Sequence, residues 1–108
     1  MPSAVDERSL SMNAVRHLLH ERVTLSPDAP EPVEVWARVV PEGAAIEMDE
    51  TERTRVVRRY RILLRREGVR ITHGQGLRWS GHDLVVESHA IDHRDRRLLV
   101  LDCREEVA

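Results

Sequence analysis

Residues 53–66 read RTRVVRRYRILLRR, and whether they form a helix or a strand decides the fold. At helical spacing Val56, Val57, Tyr60, Leu63 and Leu64 share one stripe, and Ile62 is the only apolar residue off it. As a strand, Val56, Tyr60, Ile62 and Leu64 share the even face, with Arg58 out of place among them. Arg53, Arg55, Arg59, Arg61 and Arg65 then share the odd face. Periodicity alone slightly favours the helix. The charge pattern is sharper than the hydropathy. Glu47, Asp49, Glu50 and Glu52 stand just ahead, and then seven arginines follow in fourteen residues with no acid among them.

On the upstream side, VEVWARVVP (33–41) is the cleanest strand of the chain. Val33, Val35, Ala37 and Val39 take one face; Glu34, Trp36, Arg38 and Val40 take the other; Pro41 ends it. Residues 42–52, EGAAIEMDETE, are acidic and lack a strand pattern, which predicts a long loop with a helical turn from Ala44 to Met48. Further upstream, ERVTLS (21–26) alternates like a strand, and PDAPEP (27–32) is a loop. NAVRHLL (13–19) predicts a short helix capped by Asn13, preceded by a loose polar arm over 1–12.

Downstream, Gly68 breaks the arginine-rich run. VRIT (69–72) and LRW (77–79) predict short strands around the turn HGQG. SGHD (80–83) turns into LVVESHAI (84–91), and DHRD (92–95) turns into RRLLVLDCRE (96–105), leaving a tail over 106–108. The spacing is that of a meander of hairpins.

The totals narrow the function. A chain of 108 residues is one domain. Trp36, Tyr60 and Trp79 are its only aromatics, so the core must be aliphatic. All seventeen basic residues are arginine, which fits either a GC-rich genome or a need for planar paired donors. A net charge of −2 argues against a general nucleic-acid binder. One cysteine, Cys103, cannot form an internal disulfide, and no apolar run reaches membrane-spanning length. The expectation is a soluble protein made in a reducing cytosol, without a membrane partner.

No pattern carries catalytic chemistry. His17 and His20 could share a helical face, and His89 and His93 flank a turn with Asp92 and Asp95, but no metal-binding framework surrounds them. Ser80, His82 and Asp83 are neighbours in sequence, which is not triad geometry. HGQG lacks the strand–loop–helix setting of a phosphate loop. Cys103 ends an apolar strand and reads as an inert thiol. The chain therefore reads as a non-enzyme with no cofactor, metal or catalytic residue. The arginine run has three readings: a solvated face paired to nearby acids, a row of phosphate contacts, or a dock for acidic surfaces of neighbouring copies.

Taken together, several segments resemble a known family. In order they are RVTL (Arg22–Leu25), the Trp36–Ala37 pair inside VEVWARVVP, a long loop, and Arg59–Tyr60–Arg61–Ile62. The ending from Leu77 to Glu105 follows, with Gly81, Val86, Asp95, Arg97, Leu99, Leu101 and Cys103 at the expected places. The series resembles the head–tail joining proteins, the head-closure or stopper proteins of tailed phages and gene transfer agents. It covers residues 20–105. The aromatic usual after the turn glycine is absent, and His82–Asp83–Leu84 stands there instead.

The resemblance implies a mainly β fold: a small antiparallel β-barrel over 20–105, a long loop between the second and third strands, and a short N-terminal helix. It settles 53–66 as strand. It also implies a homo-oligomeric ring below the portal and its adaptor and above the tail terminator and tail tube, closing the channel through which double-stranded DNA leaves the capsid. The loop Pro41–Glu52 would face the axis, carrying Glu42, Glu47, Met48, Asp49, Glu50 and Glu52. Arg53, Arg55, Arg59, Arg61 and Arg65 would face DNA or the next subunit. The place would be the cytoplasm of the producing bacterium, then the neck of the particle. Two other readings stay open: another neck protein such as a tail terminator or adaptor, and a small-barrel module that binds single-stranded nucleic acid.

Overall fold

The computed structural model describes residues 19–107, and in it the arginine-rich run is a strand. Along it Tyr60, Ile62 and Leu64 point inward and are buried, Ile62 and Leu64 completely. The helical stripe was misleading because two apolar residues of the opposite face have covers of their own. Val57 is buried to 2% exposure on the arginine side, and Leu63 packs against Leu19 and Leu98 outside the core. Arg58, the residue out of place on the even face, lies beyond the barrel, where that face meets no opposing wall.

Six strands make the fold: β1 (Glu21–Leu25), β2 (Val33–Met48), β3 (Thr54–Arg65), β4 (Gly76–Trp79), β5 (His82–Ile91) and β6 (Leu98–Val107). They close into an antiparallel barrel in the order β1-β2-β3-β6-β5-β4. Closure leaves the barrel without a sheet edge, the usual hazard of small β domains. The interior is filled by Val23, Leu25, Ala37, Val39, Tyr60, Ile62, Leu64, Leu77, Leu84, Val86, Leu99, Leu101 and Cys103. These residues recur at every second position of each strand, which is the alternation one buried face requires.

The expected long loop is not a loop. β2 continues through Gly43–Met48 and pairs with Thr54–Arg59, so only Asp49–Arg53 turns. A β-bulge between Pro41 and Gly43 explains why residues 42–48 hide their strand pattern. One extra residue, Glu42, switches the inward parity of β2 from odd (Ala37, Val39) to even (Ala44, Ile46, Met48). Alternation read across that point cancels. The helical turn expected over 44–48 is likewise absent.

Three other boundaries differ. Residues 69–72 are irregular, and Val69 and Ile71 pack against the core from one end of the barrel. β5 starts at His82, because Trp79 and His82 face each other across a two-residue turn, Ser80–Gly81, with φ of 48° and 80°. Two positive φ angles in a two-residue loop match the twist of a tight hairpin. β6 runs on to Val107, taking in residues assigned to a tail. The short helix over 13–19 lies outside the described residues except for Leu19, which is not helical.

Cys103 sits in the core at 2% exposure, and burial, aided by the charges of Asp102 and Glu87, pushes its thiol up to about 12. The thiolate is the reactive form, so the folded chain at pH 8 should resist alkylation by iodoacetamide. Rapid labelling without denaturant, followed by mass spectrometry, would contradict the burial.

Candidate functional site

β2 and β3 outrun the rest of the barrel. β1 pairs with β2 only up to Ala37, and β5 pairs with β6 only up to Arg104. Beyond those points Gly43–Met48, Thr54–Arg59 and the end of β6 form a three-stranded spur. At strand rise, the six residues of Gly43–Met48 project about 20 Å. All but one of the acids and arginines singled out from sequence lie on this spur or at its root. The exception is Arg65, at the far end of β3, which lines a groove together with Val35, Trp36, Glu67 and Val69.

On the outer face of β3 the two charge blocks neutralise each other within one chain. Arg55 meets Glu106 at 2.9 Å and Asp49 at 3.2 Å. Arg59 meets Glu47 at 2.8 Å and Glu87 at 2.6 Å. Arg61 meets Glu42 at 3.2 Å and Asp102 at 3.5 Å. Two of these acids owe their positions to bulges. Glu42 is the extra residue of β2, and Glu87 is the extra residue where β5 shifts register between Val86 and Ser88. Each bulge turns a carboxylate toward a β3 arginine that regular pairing would not offer it.

The Arg59–Glu47 bridge links positions four residues apart in strand register and so passes over Val57, which explains how an apolar residue hides among arginines. Hydrogen bonding by Glu47, then the charge of Glu87, holds the Arg59 guanidinium above its ordinary range. These side chains are roughly half exposed, so the pairs order the face more than they stabilise it. Arg53, Arg58 and Arg65 have no ion pair among the described residues, and neither do Glu50 and Glu52 at the tip.

The tip turn is built on Asp49. Its Oδ1 accepts from the Thr51 hydroxyl at 2.7 Å and from the amides of Thr51 and Arg53 at 2.9 Å each. The Thr51 hydroxyl bond leads the causes that lower the Asp49 pKa below its usual 3.8, followed by the Arg53 amide. A carboxyl lowered by folding stabilises the folded turn fully above its ordinary pKa and loses that contribution as pH falls through the lowered value. The Thr51 and Arg53 amides should therefore exchange faster with solvent as pH drops below about 3.8, relative to neighbouring amides and after correction for intrinsic rates. Equal protection in Asp49→Ala would remove the carboxylate from the account.

The inner face of the spur continues the lining of the barrel without a cover. Ile46 and Val56 face each other across β2 and β3, with Met48 beyond them and Ala44 and Arg58 toward the root. Ile46 is 75% exposed and Met48 68%.

Where the spur joins the barrel, a polar group caps the core. Glu105 takes the Tyr60 hydroxyl at 3.3 Å and His82 Nδ1 at 2.7 Å. Glu21 takes the Trp79 indole N–H at 3.3 Å and the Val39 amide at 2.9 Å. Tyr60, Trp79 and His82 lie ring against ring. Sequence reading passed over Glu21 and Glu105, although spacing marks both: each stands two residues from an inward apolar residue, Val23 and Cys103. His82 therefore serves this cap, and Asp83 pairs instead with Arg78. Asp95 and Arg97 tie the β5–β6 connection by bonds of 2.9 and 2.8 Å.

Among the described residues no three His, Cys, Asp or Glu side chains gather as a metal site would require. Compared with known proteins, the chain matches no family model and no curated sequence.

Proposed function

We propose that this chain is a head-closure subunit that forms a ring at the DNA exit of a phage-like capsid and docks the tail. The reading rests on the ordered segments between Arg22 and Glu105. One observation supports it above others: a closed barrel throws out a single hairpin whose tip carries the unpaired acids Glu50 and Glu52 beside one unpaired arginine, Arg53. Copies around an axis would point these tips into the channel. The ring repeats each carboxylate, so a small charge per subunit becomes a strong local field that repels DNA phosphate. The tip would then block or guide the duplex without holding it. Arg55, Arg59 and Arg61 are engaged by acids of their own chain, which assigns them to stiffening the spur rather than gripping DNA.

The partners in this reading are identical copies, the portal and adaptor above, the tail terminator and tube below, and double-stranded DNA within. The protein would wait in the cytoplasm of the producing bacterium and end in the particle neck. Deleting its gene from a producing strain tests the idea. Filled heads that leak DNA and carry no tails are expected in micrographs. Normal yields of filled, tailed particles would refute it. Tailed particles with misjoined or overlong tubes would favour a tail terminator. Salt-dependent binding of a single-stranded oligonucleotide by the isolated chain would favour the small-barrel nucleic-acid module.

A further inference from the structure

The inner face of the spur has the character of half an interface. It carries the residues of a core, yet stands open at Ile46, Met48 and Val56. The outer face has no such vacancy, since Arg55 and Arg59 are already matched with acids. Four charged side chains of the spur have no ion pair among the described residues, and they lie at its two ends. Arg58 shares the inner face at the root, while Glu50, Glu52 and Arg53 sit in the tip turn, where two acids against one arginine leave a net negative charge. Arg58 lies four residues along β3 from Thr54, where the tip turn ends, about 13 Å of strand. The opposed pair Ile46–Val56 lies near the middle of that span.

We propose that this face is a joint between two copies of the chain, stacked antiparallel about a two-fold axis over Ile46 and Val56. The arrangement follows from the pattern itself. Stacked sheets lie about 10 Å apart, a gap that Ile and Met side chains from two faces fill. An antiparallel stack puts the root of each spur over the tip of the other, so Arg58 meets the partner copy's tip acids at both ends. A parallel stack would oppose Arg58 to Arg58 and tip to tip, and like charges disfavour it. A two-fold contact is self-complementary, and this face satisfies that condition because Arg58 and the net acidic tip lie on opposite sides of its apolar centre.

The inference stands on register and charge, apart from the head-closure reading. If both hold, the joint opens before a ring forms, because it occupies the tip acids.

Sedimentation equilibrium of the full chain over a range of concentrations tests it. A reversible dimer is expected. Arg58→Glu should weaken association by about tenfold or more, and so should Glu50→Arg combined with Glu52→Arg. All three changes together should restore the dimer, because the charges are exchanged rather than removed. Ile46→Asp with Met48→Asp should give a monomer with an unchanged circular dichroism spectrum, since both side chains are exposed in the single copy. A single-copy mass at every concentration overturns the joint. So does a dimer indifferent to these changes, or a charge-exchanged triple variant that stays monomeric. Closed rings that form from an unaltered chain showing no dimer at any concentration would overturn the joint and leave the head-closure reading intact.

Discussion

Replacing Ile62 with alanine should cost the folded chain about 2–5 kcal/mol, as large-to-small changes in a packed core do. Ile62 is fully buried and faces Leu101 across β3 and β6, whose register runs unbroken from Val56 to Arg65. Its removal leaves a void between strands that cannot close, because the barrel ring fixes their separation. A single domain holds only about 5–15 kcal/mol in total, so this one change can consume much of the margin. Denaturant unfolding followed by tryptophan fluorescence would measure it as a lower midpoint with an unchanged slope. The same experiment tests the fold. On a helix spanning 53–66, Ile62 would lie off the apolar stripe and face solvent, and its replacement would shift stability by no more than about 0.5 kcal/mol. A neutral Ile62→Ala would therefore return the segment to a helix and bring down the barrel with it.

The second large effect is expected at Tyr60, where the barrel gives way to the spur. Its ring is 7% exposed and lies 5.7 Å from the Trp79 ring, and its hydroxyl reaches Glu105. Tyr60→Ala should cost about 3–5 kcal/mol, the range of large aromatic truncations. It removes core volume and also leaves Trp79 and His82 without their neighbour. Tyr60→Phe should cost only about 1 kcal/mol, the net value of one hydrogen bond, since Glu105 keeps His82 as a partner. The gap between the two variants separates packing from polar capping. If Tyr60→Phe were as damaging as Tyr60→Ala, the hydroxyl network rather than the ring would hold this end of the barrel together.

Legibility varied along the chain for physical reasons. β1 and the first half of β2 were readable because a regular strand with one buried face writes its alternation directly into the sequence. β5 and most of β6 were readable for the same reason, and the Ser80–Gly81 turn announced itself by its residue types. The second half of β2 was not readable, because the bulge at Glu42 reverses the inward parity in mid-strand. A protruding strand also has no buried face to enforce a pattern. In β3 the sequence pointed weakly to the wrong element, because Val57 and Leu63 find cover outside the core. Periodicity withheld the strand assignment, which was expected only as what the resemblance implies.

The candidate site divides in the same way. The acids and arginines of 47–61 were visible as two blocks of opposite charge. That they would meet each other within one chain was not visible, because the pairing depends on bulges and strand register. Arg55, Arg59 and Arg61 looked available from sequence and are occupied in the fold. Arg58, which broke the strand pattern, is one of the arginines left without an acid.

By itself the sequence determined the aliphatic core, the hairpin order and the separation of charge along the chain, since each is a property of residues close together in the chain. The tertiary structure alone decided that 54–65 is a strand, that β2 runs on to Met48, and which charges remain unmatched. These depend on which faces are covered and which strands lie side by side, and coverage is set by residues distant in the chain.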